Sequence, residues 1–194
     1  MSLAPLFVIA LRVLGPISIF WNKFFGISIS ILLDLFDLPI LGALGNPDLF
    51  WRIGYHKIDK VLDIYYLSFF FFLSLKWKEK LPRRVCAFLF SYRLIGVLGF
   101  LLSSKRYFLV LCPNLFENFF LFYLIAKSIS PAFKLEKISQ LCLVLLIVGI
   151  PKIFQEYITH YLELTPAEFL KNFTPFYFEQ STITEWLKTK FFTH

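Results

Sequence analysis

Six apolar runs, at 3–20, 24–41, 58–75, 85–102, 107–126 and 141–154, alternate with short polar breaks along the chain. A helix that crosses a bilayer needs about 20 apolar residues. The pattern therefore predicts an all-α polytopic membrane helix bundle of five to six spans. The first run carries Arg12 and a Gly15-Pro16 pair. A mid-span arginine costs about 2.5–3.5 kcal/mol on insertion scales. Run 3–20 is accordingly expected to lie in the interface, with a span as the alternative. The last run is short and broken by Gly149 and Pro151. It is expected to tilt little or to extend into the interface.

The breaks carry their own signals. Trp21-Asn22-Lys23 reads as an interfacial boundary, and 42–57, with Gly45-Asn46-Pro47-Asp48, reads as a turn-rich loop. Lys76 to Arg84 is basic, and 103–106 is a tight reversal. From Gln155 the chain becomes amphipathic. Thr165-Pro166-Ala167-Glu168 and Thr182-Ile183-Thr184-Glu185 predict two helix starts by capping-box logic. The expected organisation is an integral bundle over 1–154 and an amphipathic tail on the membrane surface over 155–194. The N-terminus lacks a basic n-region and is expected to stay in the mature protein.

Composition narrows the class. The chain is 58% hydrophobic and 17% charged, with 26 phenylalanines, against about 45–50% apolar and about 25% charged in soluble domains. A polar coat over one core cannot be made from this, which excludes a soluble globular enzyme, a disordered chain and a disulfide-stapled module. The net charge of +7 sits between apolar runs. Membrane lipids with anionic headgroups are therefore the expected partners, not nucleic acid, with homo-oligomerisation left open. Lys76, Lys78, Lys80, Arg83, Arg84, Lys127, Lys134 and Lys137 fall on one side, which the positive-inside rule places in the cytoplasm. Cys86, Cys112 and Cys142 lie in apolar stretches without ligand spacing and read as small apolar residues.

Ionisable residues inside the apolar runs are the informative ones, because each needs a partner or a wet cavity. Asp34 and Asp37 are three apart and share a helix face; Asp59 and Asp63 are four apart and share one too. The two segments are consecutive and antiparallel, so all four carboxylates can meet at one depth. Four such groups cannot all stay ionised without cations. Lys60, Lys57, His56, Arg52 or a bound divalent metal would have to offset them, and oxygen-only ligation suits Mg²⁺, Mn²⁺ or Ca²⁺. The bland alternative is a set of wet interfacial acids, with Asp59 and Asp63 paired to Lys57 and Lys60 at a helix start.

The order Asp34-x-x-Asp37, Gly54, Asp59-x-x-x-Asp63 resembles the acidic signature of the CDP-alcohol phosphotransferases. The likeness is confined to the acids. Leu38 stands where that family has glycine, and the arginine expected beside Gly42 and Ala43 is missing. The resemblance implies six spans, an interfacial first helix and a Mg²⁺ or Mn²⁺ site at Asp34, Asp37, Asp59 and Asp63. It also implies that Asp63 is the catalytic base and that a nucleotide-lipid is the substrate. Lys60 and Arg93 are the expected phosphate contacts.

A second constellation is Arg93 with Glu117, which lie at similar depth on neighbouring segments and are expected to form an intramembrane ion pair. Gly96 should permit close helix approach there, and Pro113 should kink the helix beside Asn114 and Glu117. Three functions follow. One is a metal-dependent transferase or hydrolase acting on a phosphorylated lipid. The second is a non-catalytic assembly or structural subunit, and the third an ion- or proton-coupled transporter.

Overall fold

The computed structural model of the chain describes residues 4–44 and 54–162. All regular structure among them is helical. They fall into two compact units, one reaching to Tyr66 and the other starting at Leu67. The predicted helix starts at Thr165 and Thr182, and Arg52, lie outside the described residues.

In the first unit, α1 (Ala4–Ile17) runs into a 3-10 turn (Ser18–Phe20) and is followed by α2 (Lys23–Leu35) and α3 (Asp37–Leu44). Asn22 caps α2, its side chain accepting from the Phe25 N–H at 3.2 Å. The chain turns sharply there because Gly26 lets α2 press against the 3-10 turn. A Cβ on Gly26 would lie 2.3 Å from the Ile19 backbone nitrogen. The expected continuous segment 24–41 is broken at Phe36. Pro39 supplies the reason: it has no N–H to donate to the Leu35 carbonyl and is tolerated only in the first turn of a new helix. Helix α4 (Tyr55–Leu75) starts after Gly54, whose φ of +82° suits glycine. Val8, Leu41 and Tyr55 form a small core, with Ile9 and Ile40 against it.

The second unit begins within α4 and holds α5 (Lys80–Ser103), α6 (Tyr107–Leu111), α7 (Leu115–Ile129) and α8 (Ile138–His160). Its core is aromatic. Phe70 stacks on Phe120 at 5.0 Å and Phe71 on Phe90 at 4.6 Å, and Trp77 stacks on Phe120 at 5.4 Å. Gly96 lets α5 meet α6, since a Cβ there would sit 2.3 Å from the Cys112 Cβ. The segment 107–126 is more than kinked. It is cut into α6 and α7 across Cys112, Pro113 and Asn114. Helix α8 is 23 residues long rather than the 14 or so of the apolar run 141–154, because it carries Pro151 inside it and continues to His160.

Among the described residues, three stretches, Lys80–Ser103, Tyr107–Ile129 and Ile138–His160, are long and apolar enough to cross a membrane. Five to six were expected. Run 58–75 is not among the three, because Asp59, Lys60 and Asp63 occupy the first half of α4. The first-unit helices are shorter than the roughly 20 residues a crossing takes. Outward positions of the second unit are apolar. Leu143, Leu146, Ile147, Ile150 and Phe154 follow helical spacing along α8, and all are exposed. Such a surface is costly in water and suits hydrocarbon.

Candidate functional site

The first unit is organised around one cation. Arg12, midway along α1, is 3% exposed. Its Nη1 donates to Asp37 Oδ2 and Asp59 Oδ1, both at 2.6 Å. Its Nη2 donates to Asp63 Oδ1 at 2.8 Å and to Asp34 Oδ1. The break at Phe36 helps make this possible: Asp34 comes from the last turn of α2, and Asp37 opens α3. The start of helix α3 is electropositive, where a carboxylate is favoured. Asp59 and Asp63 sit one turn apart on α4.

Lys60 completes the ring from the α4 side. Its Nζ lies 2.8 Å from Asp59 Oδ2 and donates to Asp63 Oδ2 at 2.7 Å. The Tyr55 hydroxyl donates to Asp37 Oδ2, and the Tyr65 hydroxyl donates to the Val13 carbonyl at 3.1 Å. Tyr65 thereby ties α4 to α1 one residue beyond Arg12. The four acids singled out by spacing do converge. What the spacing does not contain is Arg12 at their centre. The signal was available: a lone arginine in an apolar run must find carboxylates, and these are four of the five acids that precede Glu79 in the chain.

Among the described residues, Arg12 contacts all four carboxylates and Lys60 contacts two of them. One ligand oxygen each from Asp34, Asp59 and Asp63 lies within 4.8 Å of the others. Oxygens around one Mg²⁺ or Mn²⁺ at about 2.0–2.1 Å span at most about 4.2 Å. These three would therefore need to close by a few tenths of an ångström to share an ion. Asp37 stands apart from the trio, engaged by Arg12 and Tyr55. The donor set is all oxygen and fits a hard divalent cation. Asp34, with 32% of its side chain exposed, is the open side, against 7% for Asp63.

A separate buried network lies in the second unit. Arg93, on α5, is 1% exposed. Its Nη1 donates to the Cys112 carbonyl at 2.9 Å and the Leu109 carbonyl at 3.5 Å. Its Nη2 lies 3.6 Å from Glu156 Oε1. Glu156 accepts from the Asn114 backbone N–H at 3.2 Å, and His160 Nε2 lies 3.0 Å from its other oxygen. Glu117 accepts from Asn114 Nδ2 at 2.7 Å. The sequence pointed to Glu117 as the counter-charge of Arg93. Glu156 is the carboxylate seen beside the guanidinium, and it was missed because it follows the apolar run 141–154 and read as tail. Arg93 also has backbone partners within its own unit.

Among the described residues, helices alone, three membrane-length apolar stretches in one unit and an Arg12-centred acidic ring in the other are what the fold and site define. No family model, curated protein or solved structure matches it.

Proposed function

We propose that the chain is a multi-pass integral membrane protein that holds one divalent cation, Mg²⁺ or Mn²⁺, at Asp34, Asp59 and Asp63. In this reading it is a transferase or hydrolase for a phosphorylated lipid or nucleotide-lipid. The observation that carries it is the convergence of four carboxylates at one place, with oxygens of Asp34, Asp59 and Asp63 within 4.8 Å of one another. A divalent ion would offset the negative charge gathered in this partly buried site. The acidic pattern shared with the CDP-alcohol phosphotransferases supports the same substrate class.

The cation would supply Lewis-acid stabilisation of phosphate oxygens. The chain's own residues have distinct tasks. Asp63, the more buried of the α4 acids, is placed to take a proton from an acceptor hydroxyl once Lys60 moves aside. Lys60 then holds a phosphate oxygen. Arg12 sets the positions of all four acids before any ligand arrives. The test is ³¹P NMR of the purified protein with Mg²⁺, CDP-diacylglycerol and an acceptor alcohol such as glycerol 3-phosphate in mixed micelles, water being the acceptor if the protein is a hydrolase. Loss of the pyrophosphate signal, abolished by Asp63→Asn, supports the reading. No turnover by a folded, cation-binding protein would remove the enzymatic part.

A second reading has its own observation. Arg12 reaches every one of the four carboxylates, as a guanidinium does when it bolts helices together. The protein would then be a non-catalytic membrane subunit and bind no ion. Cation-dependent stability of Arg12 variants separates the two.

A further inference from the structure

We infer that the α4–α5 turn of the second unit is a binding site for the phosphate headgroup of an anionic phospholipid. This rests on the membrane reading and is independent of the cation site in the first unit.

A cavity of about 290 Å³ opens here, lined by Lys76, Trp77, Lys78, Glu79, Tyr123 and Lys127. That is at the small end of ligand pockets, which begin near 300 Å³. It is room for a headgroup with its acyl chains left outside. Lys76 and Lys78 are exposed at the rim. The acid of the lining, Glu79, is already engaged by Lys127 at 2.5 Å. That leaves a surplus of two positive charges in the lining.

The wall behind the lysines is aromatic and fixed. Trp77 stacks on Phe120, and its ring centre is 4.5 Å from that of Tyr123, which is buried. The position along the helices is also right. Two membrane-length stretches meet at this cavity, one starting at Lys80 and one ending at Ile129, and the Lys127–Glu79 pair joins those ends. A tryptophan beside lysines at the end of a span sits at headgroup depth.

The first turns of α5 add Lys80, Arg83 and Arg84 and contain no acid. A helix N-terminus is already electropositive, so cations there oppose the dipole. An anion on the cavity side relieves that repulsion. A free phosphate would satisfy the lysines equally well but would leave the tryptophan and the adjoining apolar helix faces unused. The lipid is therefore the occupant. The surplus positive charge selects phosphatidylglycerol over phosphatidylcholine, whose trimethylammonium would be repelled.

The experiment is native mass spectrometry of the full chain in neutral detergent, titrated with phosphatidylglycerol or phosphatidylcholine. The expected result is preferential binding of phosphatidylglycerol, weakened about tenfold in Lys76→Gln/Lys78→Gln by the loss of charge-assisted contacts. Lys134→Gln/Lys137→Gln removes the same charge from exposed positions on the neighbouring α7–α8 loop and should leave binding intact. Equal weakening by the two pairs would mean general electrostatics and overturn the site. So would equal binding of the two lipids. Displacement of the lipid by millimolar inorganic phosphate would overturn the lipid assignment in favour of free phosphate.

Discussion

Arg93 and Glu156, 3.6 Å apart, hold opposite sides of one broken helix. Arg93 donates to the carbonyls of Leu109 and Cys112 that end α6, and Glu156 accepts from the Asn114 N–H just before α7. Pro113 removes the donor that would have continued the helix. In hydrocarbon, backbone groups freed in this way must be satisfied by protein. The ion pair does so from both sides.

Removing one member of this pair should therefore cost more than an ordinary buried contact. Glu156→Leu leaves a buried guanidinium without its carboxylate, a loss of about 3–5 kcal/mol. Thermal unfolding in detergent should show a large drop in midpoint. The double change Arg93→Met with Glu156→Leu should recover only part of it, because the Cys112 carbonyl and the Asn114 N–H stay unpaired. A Glu156→Leu protein as stable as the wild type would mean that the pair does not hold the break.

Gly96 makes a sharper steric prediction. A Cβ there meets the Cys112 Cβ at 2.3 Å and the Phe108 carbonyl oxygen at 3.0 Å, whereas at Gly149 the nearest atom is 3.6 Å away. Gly96→Ala should destabilise by about 1–3 kcal/mol through overpacking. Gly149→Ala should be neutral or slightly stabilising, because alanine is the better helix former. Melting temperatures of the two variants, measured side by side, check the α5–α6 packing.

The Glu79–Lys127 pair predicts an acid limb. The hydrogen bond from Lys127 lowers the Glu79 carboxyl below its usual 4.5. A lowered carboxylate pKa contributes stability above its unfolded value, and that contribution is lost as pH falls through the folded value. Glu79 is partly exposed, so the effect is small. Stability should fall between about pH 5 and about pH 3, and Lys127→Met should flatten that part of the fall. An identical acid limb in the variant would show that the pair adds nothing.

Much of this architecture is legible in the chain, for physical reasons that also mark the limits. The spacings Asp34–Asp37 and Asp59–Asp63 report shared helix faces, and consecutive segments bring those faces together. Pro113 announces its break, because no helix interior accepts a proline freely. Pro39 was passed over although the same rule applies to it, and the break at Phe36 followed. The partners of Arg12 lie 22 to 51 positions away, beyond the reach of local periodicity. Glu156 went unseen for a different reason: a helix that holds Pro151 and runs on to His160 outlasts its apolar run.

Charge balance in the acidic ring predicts an unusual behaviour for Arg12→Gln. With the guanidinium gone, the four carboxylates lose the one group that contacts every one of them. The variant should be destabilised in chelator and regain stability in Mn²⁺, since an ion that binds only the folded state stabilises it by mass action. Melting curves with EDTA and with Mn²⁺ give the comparison. Rescue supports the cation site. Failure of Mn²⁺ to restore any stability would favour the structural bolt.

The most direct measurement is Mn²⁺ binding itself, followed by electron paramagnetic resonance on the purified full chain in detergent. The wild type should take up about one equivalent, with the free-ion signal lost on binding. Asp34→Asn and Asp63→Asn, each checked for folding, should both abolish that uptake, while Glu136→Gln, on the exposed α7–α8 loop, should not. A wild-type protein that leaves the free-ion signal unchanged, or uptake that survives both aspartate changes, would contradict a cation site at Asp34, Asp59 and Asp63.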